Sequence, residues 1–178
     1  GYVKVVAGNG QNYLAARRAK ALKAQAQELQ NVPMRLPKAA TAKDAHGLII
    51  LVNFSDLKFN NTKEYIHDEM NAEGFNLNGA TGSARDYFVA QSSGAFQPTF
   101  DVVGPVDLEM PYRYYGGNTA NGSDRHPDVM IFSAVQQAAE AGLDLNQYDL
   151  DNDGIVDMVY VIYAGLGEAD GGDESTVW

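Results

Sequence analysis

Four aspartates fall within nine residues near the end of the sequence: Asp149, Asp151, Asp153 and Asp157, with Gly154 between the last two. Alternating residues of a tight turn can aim several carboxylates at one centre, and calcium is a hard cation that takes roughly six to eight oxygen ligands. In an EF-hand loop the first, third and fifth positions supply side-chain oxygens, a glycine at the sixth permits the bend, the seventh supplies a carbonyl and the ninth completes one side. By that spacing Asp149, Asp151 and Asp153 are expected to bind calcium, with the Ile155 carbonyl and Asp157. The match is partial. Where an EF-hand has its bidentate glutamate stands Tyr160, and a strand pattern follows it. A further ligand must come from elsewhere, and Asp144, Asp173 and Glu174 are all candidates. The alternative is a solvated acidic turn, since Asp and Gly are good turn formers. Four aspartates this close would then repel one another without a counter-ion.

The other chemistry-bearing residues form no comparable group. His46, His67 and His126 are scattered, with no H-e-x-x-H pair to hold zinc. No nucleophile elbow is present, and Gly8-Asn9-Gly10 and Gly165-Leu166-Gly167 are too short for phosphate loops. Chemistry alone assigns no catalytic residue. The aromatic groups around Tyr87, Phe88, Phe96, Phe100, Tyr112, Tyr114 and Tyr115 are expected to fill or cover the core.

The elements that must carry the loop alternate between strand and helix. Tyr2–Ala7 reads as a short strand, and the alanine-rich stretch from Asn12 to Gln30 as a thinly amphipathic helix, closed by Pro33 and Pro37. Gly47–Phe54 is a continuous apolar run suited to a strand buried on both faces. Helices are expected over Thr62–Met70, Ser83–Gln91 and His126–Ala141, the last with Pro127 in its first turn and Gly142 as its stop. Phe96–Val103 reads as an edge strand, Tyr112–Asp124 as a loop, and Ile155–Ala164 as a second buried strand. The class is therefore α/β.

Charge divides the chain. Through Ala45 eight basic residues face two acidic ones, giving +6, so with a total of −10 the rest carries −16. Such a body repels phosphate backbones and suits cations, which excludes nucleic acid as the expected partner. The absence of cysteine excludes disulfides and thiolate zinc sites but leaves export open. No apolar run approaches the roughly 18 residues of a membrane span. The start at Gly1 is read as removal of a leader, a tag or an upstream segment.

Several stretches, in order, resemble the immune inhibitor A family of secreted bacterial zinc metallopeptidases: Gly47–Phe59, Ser83–Leu108, the Tyr114–Asn118 loop and Tyr148–Gly172, with a closing Ser175–Trp178. The resemblance implies a twisted mixed sheet with backing helices, a zincin-like upper lobe over residues 46–178, and a prosegment tail and linker over residues 1–45. It implies structural calcium at the aspartate loop, and zinc held by two histidines with a glutamate as general base, downstream of this chain. The chain by itself is thus expected to be inactive, and to be the N-terminal portion of a calcium-stabilised zymogen that cleaves proteins. Arg17, Arg18 and the nearby lysines would be maturation sites, or the helix a fixed connector. The downstream lobe is an expected partner, and an uncovered face would favour self-association. The rival reading is a non-catalytic, calcium-dependent binding or adhesion domain.

Overall fold

The computed structural model describes residues 5–6 and 45–177. The helix read over Asn12–Gln30, the linker after it and the proposed maturation sites lie outside the described residues. The elements are β1 (Val5–Val6), β2 (His46–Asn53), α1 (Lys63–Asn71), α2 (Ala84–Gln91), β3 (Thr99–Asp107), α3 (Tyr112–Tyr115), α4 (Pro127–Glu140), β4 (Ile155–Val156) and β5 (Val159–Tyr163). Short 3-10 turns cover Leu77–Gly79, Leu145–Tyr148 and Glu168–Asp170.

The apolar run of β2 becomes the middle of a three-stranded sheet in the order β3-β2-β5. Both neighbours run parallel to it, so this sheet is parallel throughout rather than mixed. Antiparallel pairing among named strands is confined to a separate ladder of β1 on β4. Alternate residues of β2 leave on opposite faces. Leu48, Ile50 and Val52 pack with Met130, Ala134, Val135 and Ala138 of α4. Ile49 and Leu51 pack with Ile66 of α1 and with Phe100 and Val102 of β3. Helices thus cover both faces, which is why β2 carries no polar residue between Leu48 and Val52.

Helix starts follow local chemistry. Thr62 Oγ1 accepts from the Tyr65 amide to cap α1. Ser83 and Asp86 form a reciprocal capping box on α2, and Asp86 also accepts from the Gly74 amide. These backbone donors hold the Asp86 carboxyl below its ordinary value. α4 has Pro127 in its first turn, and Gly142 follows it at φ +99°.

Three further expectations are corrected. β3 begins at Thr99 and continues past Val103 to Asp107, because Gly104 adopts φ +91° and the register shifts there, so that Gly and Pro105 sit at an irregularity within the strand. The edge placement of β3 stands. The stretch Ile155–Ala164 is not one buried strand. It breaks at Asp157 and Met158, and β5 is partly exposed, with Tyr160 at 40%. The Asp157 amide donates to the Tyr148 carbonyl at 3.0 Å, which turns the chain back to the loop at that point. Finally, Tyr112–Asp124 is not loop throughout: Tyr112–Tyr115 forms a helical turn whose Tyr112 and Tyr115 are buried beside Phe54, with ring centroids 4.7 and 5.5 Å away.

Candidate metal centre

The aspartate loop leaves the 3-10 turn Leu145–Tyr148 and enters β4. It lies beside the end of the sheet where the parallel strands begin, since Leu48 of β2 is in register with Val159 and Asp101. Two residues give the loop its bend: Asn152 at φ +57° and Gly154 at φ +83°. Only glycine adopts the second without strain, and asparagine tolerates the first.

Backbone amides set the carboxylates. Asp149 accepts from the amides of Asp153 (3.0 Å) and Gly154 (2.8 Å), one on each oxygen. Asp151 Oδ1 accepts from the Asp153 amide at 3.1 Å, and Asp153 Oδ1 from the Ile155 amide at 2.9 Å. The result places one oxygen from each of Asp149, Asp151 and Asp153 within 4.8 Å of the others. Asp151 and Asp153 are exposed and Asp149 half-buried, so the group opens to solvent on one side.

Asp157 stands behind this trio. Its Oδ2 accepts from the Leu150 amide at 2.8 Å, closing the loop across seven residues. Burial raises its pKa, the Leu150 amide opposes the rise, and the charges of Asp151, Asp149 and Asp153 add to it. Asp157 therefore feels the trio's field. The Ile155 side chain is half-buried, and its residue pairs with Val6 of β1.

The other residues offered as ligands have separate roles. Asp144 caps the 3-10 turn, its Oδ1 accepting from the Asn146 amide at 3.0 Å. Asp173 accepts from the Ser175 amide at 2.8 Å, and with Glu174 lines an open polar cleft of about 550 Å³ that also includes Arg113, Asn118 and Arg125. That cleft lies beyond the opposite end of the sheet, on segments that follow the ends of β3 and β5. The three histidines also stay apart in role. His46 Nδ1 lies 3.5 Å from Asp101, His67 Nδ1 lies 3.3 Å from Asp68, and the His126 ring stacks on Tyr114 at 4.4 Å.

The chain is similar to immune inhibitor A. The Bacillus thuringiensis subsp. alesti protein of that name is 26% identical over 167 aligned residues, which cover 74% of this chain and 24% of that protein. The chain thus spans about a quarter of its relative's length. No family model matches the sequence. Among the described residues, no helix is long and apolar enough to cross a membrane.

Two features near the loop and the cleft were not read from the sequence. Tyr148, next to Asp149, donates its hydroxyl to Asp101 Oδ2 at 3.1 Å; burial first, then Asp101, raises its pKa, so it stays neutral. At the other end the tail is stapled to the core: the Tyr112 hydroxyl donates to the Leu166 carbonyl, and the Tyr163 hydroxyl to the Val177 carbonyl at 3.3 Å. Burial pushes the Tyr163 pKa up to about 12. Both contacts link residues distant in sequence, and no local pattern announces them.

Proposed function

We propose that this chain is the N-terminal portion of a secreted bacterial zinc metalloendopeptidase that calcium stabilises. The observation that carries the reading is the similarity to immune inhibitor A across 74% of the chain. The parallel sheet covered on both faces and the converging aspartates are consistent with it. In this reading residues 46–178 form a zincin-like upper lobe, and residues 1–45 a prosegment tail and linker.

Calcium would be held by the carboxylates of Asp149, Asp151 and Asp153, the Ile155 carbonyl and Asp157. The donor set fits a hard cation: oxygens only, several of them anionic, already oriented by amides. Its part would be electrostatic, relieving the repulsion that adds to burial in raising the Asp157 pKa. The position beside the strand starts makes it a clamp on the entrance to β4 and β5 rather than a reaction centre.

The described residues do not fit zinc. Their one group of potential ligand side chains is the aspartate trio, and no histidine joins it. Zinc and its general base would belong to a part of the protein outside this chain, which would pack where Met158, just before β5, and Tyr160 on β5 are exposed. Protein substrates would lie extended along a sheet edge.

The test is hydrolysis of casein by the longer protein carrying this chain, with zinc and calcium present. The expected result is cleavage that a chelator abolishes and zinc restores. A folded but inert longer protein would overturn the reading. It would favour the rival, a non-catalytic calcium-dependent binding domain.

A further inference from the structure

β4 is only two residues long, and it is shared between the aspartate loop and the start of the chain. Val5 pairs with Val156 and Val6 with Ile155, antiparallel. A ladder of two residues on each side is marginal by itself in water. It persists only if one partner is already held extended. The loop does this for β4: the Ile155 amide donates to Asp153 Oδ1, the Asp157 amide to the Tyr148 carbonyl, and the Val156 side chain is buried in the core. In an antiparallel ladder one of these two pairs exchanges the hydrogen bonds, so either the Val5 or the Val6 amide donates to β4.

We propose that the ion in the aspartate loop and the N-terminal strand Val5–Val6 are coupled ligands of β4, each tightening the other. This rests on the calcium reading above. An ion that fixes Asp153 and the Ile155 carbonyl fixes the strand on which β1 is seated. By linkage, seating β1 must raise ion affinity by the same factor. The stretch between these partners contains Arg17 and Arg18, so removal of the lead-in would loosen the loop, and loss of calcium would release the lead-in.

The test compares calcium titrations, by calorimetry, of the full 178-residue chain and its Val5→Pro, Val6→Pro variant, which lacks both N–H groups that could donate to β4. The expected result is a calcium Kd raised about fivefold or more in the variant, the lower end of ordinary allosteric coupling. Hydrogen exchange in the unaltered chain, at whichever of the Val5 and Val6 amides donates to β4, should slow by a similar factor when calcium replaces chelator. Equal affinities in both chains, with exchange at both the Val5 and Val6 amides indifferent to calcium, would overturn the coupling and leave the calcium site standing. No binding in either chain at millimolar calcium would overturn the calcium reading and the coupling together.

Discussion

Asp157 and Gly116 show two ways in which one residue is held to its type. Asp157 is half-buried behind three other carboxylates, so without an ion its folded pKa lies above the unfolded value. A raised carboxylate contributes stability that is present below the unfolded pKa and lost as pH rises through the folded pKa. Chelator-treated protein should therefore lose stability as pH climbs through the range above the ordinary aspartate value of 3.8. Asp157→Asn keeps an acceptor for the Leu150 amide and removes that part of the slope. Thermal melting in chelator across this range measures it, and an unchanged slope would contradict the placement of Asp157. Gly116 is set by space: a Cβ there would lie 2.2 Å from the Thr176 carbonyl carbon, a backbone atom of the tail. Gly116→Ala is expected to cost about 1–3 kcal/mol, the usual penalty of overpacking, read as a lower denaturation midpoint.

At the scale of elements, the central strand carries the core and the edge strands are cheaper to damage. Ile50 of β2 is fully buried, so Ile50→Ala should destabilise by about 2–5 kcal/mol. Ile162→Ala on the partly exposed β5 should cost roughly half as much or less, because solvent already reaches the site. Urea midpoints of the two variants decide this, and equal losses would mean that β5 is covered in solution. The same contrast explains what was legible beforehand. β2 could be read because burial on both faces leaves an unbroken apolar run, α1 and α2 because their side-chain caps are local, and α4 because Pro127 and Gly142 bracket it. The aspartate spacing was legible for the same reason, as the bonds that orient the trio span only two to five residues. The break between β4 and β5 was not, because it depends on a bond from Asp157 to Tyr148 across an intervening turn. Nor was α3, four residues long, whose helical turn is fixed by burying Tyr112 and Tyr115 beside Phe54. The continuation of β3 through Gly104 and Pro105 reversed a reliable breaker signal, since a register shift beside β2 accommodates both.

At the scale of the whole molecule, the two polar features lie at opposite ends of one parallel sheet. The aspartate loop stands beside the strand starts, while the cleft of Arg113, Arg125, Asp173 and Glu174 stands beyond the strand ends. In open α/β sheets ligands bind beyond the carboxyl ends of the strands, which is the end the cleft occupies. The −16 carried after Ala45 makes a bound cation favourable for the whole body as well as for the loop. Calcium-dependent melting is the direct test of whether the aspartate loop clamps calcium. Chelator-stripped chain, heated with calcium at about a hundred times its Kd, should gain about 2.7 kcal/mol, a rise of roughly 5–10 °C in Tm. The Asp151→Asn, Asp153→Asn double variant should lose most of that rise while melting no lower than the parent in chelator. A melting temperature that ignores millimolar calcium in the parent chain would contradict the account.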